Sequence, residues 1–237
     1  MEWIIQLSGD ENDLNELSKV FTSPDLSIKK EKDGYLLRST QFSECYSHEE
    51  VTKITSEILP LLSAGIKLSL DARKQLEVDG IIQIGEDNLR HYFLTVSCGI
   101  GLRCLVNGEI THIDGTREDF HQADPIPNWI KIAQKDTKVA KAFNFICADF
   151  NSWYNLYKIL EVIEEDQFKP IMRGGRYKKM ADNFTHTANS YKITGLDARH
   201  AKESQKPPKN PMSLSEAKSF IKMLLHEWLK EKEKIIP

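Results

Sequence analysis

Short apolar runs and amphipathic stretches alternate along the first half of the chain. Apolar residues recur at spacings of three and four over 14–21 and 51–62, and the second stretch follows a capping box that begins at Ser47. Apolar or alternating runs typical of strands lie at residues 3–7, 26–29, 35–39, 80–84 and 91–96. The predicted order is therefore β-α-β-β-α-β-β, with residues 102–106 as a candidate for one further strand.

This order predicts an α+β domain over residues 1–113, built as a small antiparallel sheet with two helices on one face. The split βαβ, or ferredoxin-like, arrangement is one candidate for it. Residues 114–135 are predicted to form a linker, because Pro125 and Pro127 interrupt regular structure.

The second half of the chain has helical spacing almost throughout. Apolar residues recur every three or four positions from residue 136 to about 166, which predicts one long helix. A shorter helix is expected over 180–188. A second capping box, Ser213 to Glu216, opens an amphipathic stretch that continues to residue 229. These elements predict a helical bundle over residues 136–237.

The formal net charge of −3 conceals opposite charges in the two halves. Residues 1–130 contain 12 Lys and Arg against 22 Asp and Glu, so the α+β domain is acidic, whereas residues 131–237 contain 20 against 13. The positive excess lies in residues 169–209, the basic segment, where 10 basic residues accompany 3 acidic ones. This asymmetry indicates an anionic partner for the basic segment or a contact between the halves. A solvated surface is the alternative.

Several classes of protein are disfavoured. No apolar run reaches about 18 residues, and the first residues lack the basic and apolar pattern of a secretory signal, so we expect a cytoplasmic protein with no membrane partner. The four cysteines form no Cys-x-x-Cys pair, and we expect neither a metal nor a cofactor. The Gly-x-Ser-x-Gly, dinucleotide-binding and His-Glu-x-x-His motifs are absent, which argues against the common hydrolases and dehydrogenases.

Two glycines flanked by cations form the first candidate site, inside the basic segment. Glycine amides can approach an anion closely, the cations would neutralise it, and Tyr177 offers a ring on which a base could stack. The ending of a Walker loop is missing, so a flexible basic loop is the alternative. The candidate residues are Arg173, Gly174, Gly175, Arg176, Tyr177, Lys178 and Lys179.

The adjacent residues Arg199 and His200 form the second candidate site. An Arg holds a phosphate by charge while a His transfers a proton, and Asp197 could orient either side chain. Asn189 and Tyr191 are close enough in sequence to belong to the same surface. The alternative is structural, with an ion pair for Arg199 and a hydrogen bond to a buried carbonyl for His200.

Two stretches of the second half resemble a known family. One is the helical run 150–161, and the other extends from residue 187 through Ala198-Arg199-His200 to residue 217. Over residues 136–230 they resemble the C-terminal region of bacterial proteins that is similar to HEPN domains, the helical bundles of prokaryotic toxin, defence and stress systems. The resemblance implies a helical bundle, self-association and RNA or nucleotide binding. HEPN ribonucleases carry an Arg and a His several residues apart, whereas Arg199 and His200 are adjacent, so the nuclease site does not transfer.

Three functions follow from these features. The first is a non-catalytic module that binds a phosphate-bearing ligand, RNA or a nucleotide, through the basic segment in a bacterial stress or defence setting. The second is a metal-independent ribonuclease of the HEPN type, with His200 as acid and base and Arg199 as the phosphate clamp. The third is a structural or regulatory subunit that docks a protein partner or a second copy through its opposite charges.

Overall fold

The computed structural model describes residues 2–85, 90–94, 108–111, 117–120, 122–199 and 207–235. The chain divides into two compact units, residues 1–130 and residues 131–237, which we call the N-terminal unit and the helical unit. The candidate strand at 102–106 and the candidate catalytic residue His200 lie outside the described residues.

A six-stranded antiparallel sheet forms the centre of the N-terminal unit. Its strands are β1 (Glu2–Ser8), β2 (Thr22–Ser23), β3 (Leu26–Glu31), β4 (Gly34–Ser39), β5 (Glu77–Ile84) and β6 (Arg90–Leu94). Across the sheet they are ordered β2-β3-β4-β1-β5-β6, and every neighbouring pair is antiparallel. A separate hairpin pairs β7 (Gly108–Thr111) with β8 (Arg117–Phe120).

The connections between the strands confirm the prediction of an α+β fold and define its topology. Helix α1 (Glu11–Val20) lies between β1 and the β2–β4 strands, and α2 (His48–Leu70) joins β4 to β5. Strand β4 lies between β1 and β3 in the sheet, so it splits the β1-α1-β3 unit. This is the split βαβ arrangement, extended here by β2 at one edge and by β6 beyond β5.

Both helices pack on one face of the sheet. The strand pairing places Trp3, Tyr35 and Ile81 on that face. The Trp3 indole N–H donates to the carbonyl of Cys45, just before α2, and the Tyr35 hydroxyl donates to the carbonyl of Glu11 in α1. The buried core residues of the unit include Ile5, Leu7, Leu14, Leu17, Ile28, Leu37, Val51, Ile58 and Leu62.

Helix α3 (Ile126–Lys135) occupies the second part of the stretch that the sequence predicts as a linker. Pro127 lies in its first turn, where the missing amide N–H loses no hydrogen bond, so the helix begins there rather than ending. Ile126 is buried and approaches Gly65 of α2 so closely that a Cβ at Gly65 would lie 2.6 Å from it. A proline interrupts a helix only beyond the first turn, which the linker prediction did not consider.

Two helices, α4 (Thr137–Asp149) and α5 (Trp153–Glu165), replace the single long helix predicted from residue 136 to about 166. That prediction is wrong because side chains at the junction satisfy the backbone outside a helix. The carboxylate of Asp149 accepts the Asn151 N–H at 2.8 Å, and the hydroxyl of Ser152 accepts the Asn155 N–H as the N-cap of α5. The apolar spacing continues through the break, so periodicity alone did not reveal it.

The remaining helices are α6 (Lys178–Ala188), α7 (Tyr191–Thr194) and α8 (Leu214–Glu233), which confirms the helical character predicted for the second half. The predicted capping box of α8 is complete, since Ser213 and Glu216 each accept the backbone N–H of the other. Phe184 of α6 is fully buried, and its ring centroid lies 5.8 Å from that of Trp153 and 6.0 Å from that of Phe220. This aromatic contact joins α5, α6 and α8.

Candidate anion-binding surface

The first candidate site is a closed loop, residues 169–179, which we call the 169–179 loop. It is anchored by Ile171, which is buried, and the Tyr177 N–H donates to the carbonyl of Pro170 at 2.8 Å. A Cβ at Gly175 would lie 2.4 Å from the carbonyl oxygens of Lys169 and Pro170, and Gly174 has a φ of +82°. The two glycines are therefore required by the turn itself.

The glycine backbone does not provide the open anion cradle that the sequence suggests. The Gly175 N–H donates to the carbonyl of Met172 at 2.8 Å, so this amide already has an acceptor. The Lys178 N–H donates to the carbonyl of Gly175 at 3.2 Å. The loop holds its shape by internal hydrogen bonds, and the affinity of this site for an anion depends on its side chains.

Arg176 and Tyr177 both contact Glu227 of α8. The Arg176 guanidinium forms an ion pair with one carboxylate oxygen, and the Tyr177 hydroxyl donates to the other at 2.8 Å. The hydrogen bond to Glu227 raises the pKa of Tyr177, and burial adds to the rise. Burial raises the pKa of Glu227, but the bonds from Tyr177 and Arg176 outweigh it and the pKa lies below its ordinary value. The Arg176 guanidinium also lies 4.8 Å from the centroid of the Tyr177 ring, so this face is unavailable to a stacked base.

The carboxyl of Glu164 in α5 is affected by the charges of both Lys178 and Arg199, one from each candidate site. Both cations lower the pKa of Glu164, but burial, the largest effect, together with Glu161 and Asp182 holds that pKa above its ordinary value. Lys178 also forms an ion pair with Asp182 one helical turn further along α6. Both candidate sites therefore act on one carboxyl of α5, and carboxylates offset part of the positive charge of each site.

Arg199 is held by two residues of α5. Its guanidinium donates to the Tyr157 hydroxyl at 2.7 Å and forms an ion pair with Glu161 at 3.0 Å. It lies over the Tyr157 ring, 4.5 Å from the centroid, and burial raises the pKa of this tyrosine. The Arg199 backbone N–H donates to the carbonyl of Ala188. This agrees with the structural alternative given above, in which Arg199 forms an ion pair.

The other candidate residues near Arg199 have different surroundings. Tyr191 is half-buried and begins the short helix α7. The amide oxygen of Asn189 is buried and has no hydrogen-bond partner among the described residues, and the same holds for the hydroxyl of Ser190. Asp197 accepts hydrogen bonds from the Ser152 hydroxyl and the Trp153 N–H, so it serves the start of α5 rather than Arg199.

Three cations of the 169–179 loop remain available to a ligand. Lys169, Arg173 and Lys179 are exposed, and none of them has an ion-pair partner in the part of the chain that the structure describes. Helix α6 begins beside them at Lys178 and has no side-chain hydrogen bond at its N-cap. The partial positive charge of the helix N-terminus therefore adds to these three side chains.

The acidic residues of other helices that act on Arg176, Lys178 and Arg199 were not predicted. Glu161 and Glu164 belong to α5, and Glu227 lies about 50 residues after Tyr177. The spacing of Glu161 and Glu164 indicates that they share one face of α5. No local sequence pattern predicts a contact between residues about 50 positions apart, such as Tyr177 and Glu227. Only the fold shows which positive charges are already compensated.

None of the helices in the described ranges is long and apolar enough to cross a membrane. Among the described residues, no three His, Cys, Asp or Glu side chains are grouped in a way that could hold a metal ion.

Comparisons with protein-family models, curated proteins and solved structures found no match to the chain. The HEPN resemblance therefore remains a prediction.

Proposed function

We propose that the helical unit is a non-catalytic module that binds a phosphate-bearing ligand, RNA or a nucleotide, through Lys169, Arg173 and Lys179. The observation that supports the proposal is the contrast within one loop. These three exposed cations lack an ion-pair partner among the described residues, whereas Arg176 and Lys178 beside them are paired. The setting we propose is the bacterial stress or defence context that the HEPN resemblance implies.

The chemistry of the surface favours recognition of phosphate over recognition of bases. Lys169, Arg173 and Lys179 belong to one closed loop, and no ion pair among the described residues neutralises them. Phosphates of a single RNA strand can satisfy several of these cations at once, and the counterions they release drive binding. Arg176 covers one face of Tyr177, which leaves little aromatic surface to read a base. We therefore expect binding that depends weakly on the sequence of the RNA.

Fluorescence anisotropy with a labelled single-stranded RNA tests the proposal. RNA binding at low salt should weaken at least about tenfold in a variant that replaces Lys169, Arg173 and Lys179 with Gln. Each phosphate contact that is lost means that fewer counterions are released on binding. The control variant replaces Lys29, Lys53 and Lys131 with Gln. It removes the same charge from exposed residues without a described ion pair, and it should bind RNA like the wild type.

Equal losses of affinity in both variants, or no binding of RNA by the wild type, reject the proposal. Cleaved RNA on a gel afterwards would favour the ribonuclease instead.

A further inference from the structure

Leu196 is an apolar residue that stands almost fully in solvent, with 94% of its surface exposed. It follows Gly195, whose φ of +60° and ψ of −133° lie in a backbone region that other residues rarely adopt. Among the described residues, no atom lies within 4 Å of a Cβ built on Gly195, so contact with them does not explain this glycine. The glycine is explained by the turn that exposes Leu196.

The turn around Leu196 is fixed on its C-terminal side. The Asp197 carboxylate accepts the Ser152 hydroxyl at 3.1 Å and the Trp153 N–H at 3.0 Å. Two residues later, Arg199 is bound to Tyr157 and Glu161, as described above. An exposed side chain on a fixed turn loses little conformational entropy when a partner covers it.

Other exposed residues belong to the same segment or to the first turns of α5, which Asp197 contacts. Tyr154, next to the Trp153 that Asp197 contacts, is 49% exposed, and Ile193 is 39% exposed. Lys158 lies over the Tyr154 ring, and Lys192 is exposed. We call these residues, together with Leu196, the Leu196 patch. Lys158 is paired with Glu161, so Lys192 is the exposed cation beside this apolar centre. An exposed apolar centre with an aromatic residue is typical of a protein-binding surface.

A cleft of about 550 Å³ in the N-terminal unit has the complementary properties. It lies between α2 and the β5–β6 strands, and Ile81 and Leu59 contribute to its largely apolar wall. The exposed residues Glu49 and Glu57 belong to the same helix, and the N-terminal unit carries ten more acidic than basic residues. Ser56 of α2 and Phe93 of β6 also line the cleft.

We propose that the Leu196 patch of one copy docks in the α2–β5–β6 cleft of a second copy, with Leu196 entering the cleft. The opposite charges of the two units favour this occupant, because residues 131–237 carry seven more basic than acidic residues. The contact joins unlike surfaces, so each copy offers both a donor patch and an acceptor cleft. This contact between copies uses none of Lys169, Arg173 and Lys179. Its test therefore does not depend on whether the proposed ligand binds.

Analytical ultracentrifugation of the full chain, up to about 200 µM, tests the contact, since weak specific contacts have micromolar Kd values. The wild type should self-associate and should dissociate in high salt, which screens the charges. Leu196→Asp should weaken association at least about tenfold, because an apolar side chain is no longer buried. Ile235→Asp changes another exposed apolar residue of the same unit and should associate like the wild type.

A second variant tests the acceptor side. Ser56→Trp fills the cleft from an exposed position on α2 and should also abolish self-association. A mixture of Leu196→Asp and Ser56→Trp should form a one-to-one pair, because one variant keeps the cleft and the other keeps the patch. A monomeric wild type, an unaffected Leu196→Asp variant, or a mixture that stays monomeric overturns the proposal. Each variant should bind RNA like the wild type, which separates this contact from the proposed function.

Discussion

The ammonium group of Lys232 lies 2.6 Å from a carboxylate oxygen of Asp166, at the end of α5. The same group lies 2.7 Å from Asp136, whose carboxylate caps α4 through the N–H groups of Lys138 and Val139. Burial raises the pKa of both carboxyls, but the bonds from Lys232 outweigh it, with other donors contributing, and each pKa lies below its ordinary value. One lysine of α8 therefore ties together the ends of α4 and α5.

Lys232→Met should destabilise the helical unit by about 2 kcal/mol, because two partly buried carboxylates lose their shared cation. Side-chain exposure of 12% for Lys232 and 19% for Asp166 limits the screening by water. Lys230→Met, an exposed position on the same helix, should cost no more than about 0.5 kcal/mol. Urea unfolding measures both variants, and equal midpoints for the two would contradict the role given to Lys232.

The difference in stability between the wild type and Lys232→Met should depend on pH. Asp136 and Asp166 have folded-state pKa values below the ordinary 3.8, so their contribution is fully present above that value and is lost as the pH falls through the lowered pKa. Burial lowers the pKa of Lys232, but Asp136 and Asp166 raise it overall above 10.5, so this contribution is lost only as the pH rises through that raised pKa. Urea midpoints should show a constant difference from about pH 5 to 9 and a narrowing below about pH 3.5. A difference that narrows near neutral pH would point to another titrating group.

Gly175→Ala should destabilise the helical unit by about 2–3 kcal/mol, since the new methyl group would lie 2.4 Å from two carbonyl oxygens. Gly174→Ala is the matched comparison: it meets only open space, but its φ of +82° is unfavourable for alanine and should cost about 1 kcal/mol. Thermal or urea unfolding of the two variants gives the order. The reverse order would show that the loop does not close against Lys169 and Pro170 as described.

Glu227→Gln should strengthen the binding of single-stranded RNA by about threefold to tenfold. The substitution removes the carboxylate that pairs with Arg176, and the released guanidinium adds one cation to the surface. Stability should change by less than about 1 kcal/mol, because Arg176 is largely exposed and such pairs contribute little. Anisotropy titration measures the affinity, and Glu233→Gln, which removes the same charge about 1.7 turns further along α8, is the control. An unchanged affinity in Glu227→Gln would place Arg176 outside the binding surface.

The sequence predicts the elements whose signals are local. The capping box at Ser213 and Glu216 predicts the start of α8, and both of its hydrogen bonds form. At α2 the pattern Ser47 to Glu50 is only half realised, because the Glu50 side chain accepts the N–H of Tyr46 instead of that of Ser47. Helix α2 still begins directly after Ser47, because one side-chain cap is enough to begin a helix.

The sequence could not predict contacts between residues that are distant along the chain. These contacts determine which cations form the candidate site. Charge counting marks the whole basic segment as a surface for anions, but Glu227 and Glu161 compensate Arg176 and Arg199 from other helices. Which cations stay unpaired depends on how α5, α6 and α8 pack. The exposure of Leu196 has a partial local signal, the preceding Gly195, but only the fold shows that the turn is fixed by Asp197.

The salt dependence of RNA affinity is the most direct test of the central claim. A plot of log affinity against log salt concentration gives the number of phosphates that the protein contacts, with a slope of about −0.7 for each on a single strand. If Lys169, Arg173 and Lys179 form the surface, replacing all three with Gln should make the slope less steep by about 2. An unchanged slope in this variant would contradict the account, and so would a wild-type affinity for RNA that does not depend on the salt concentration.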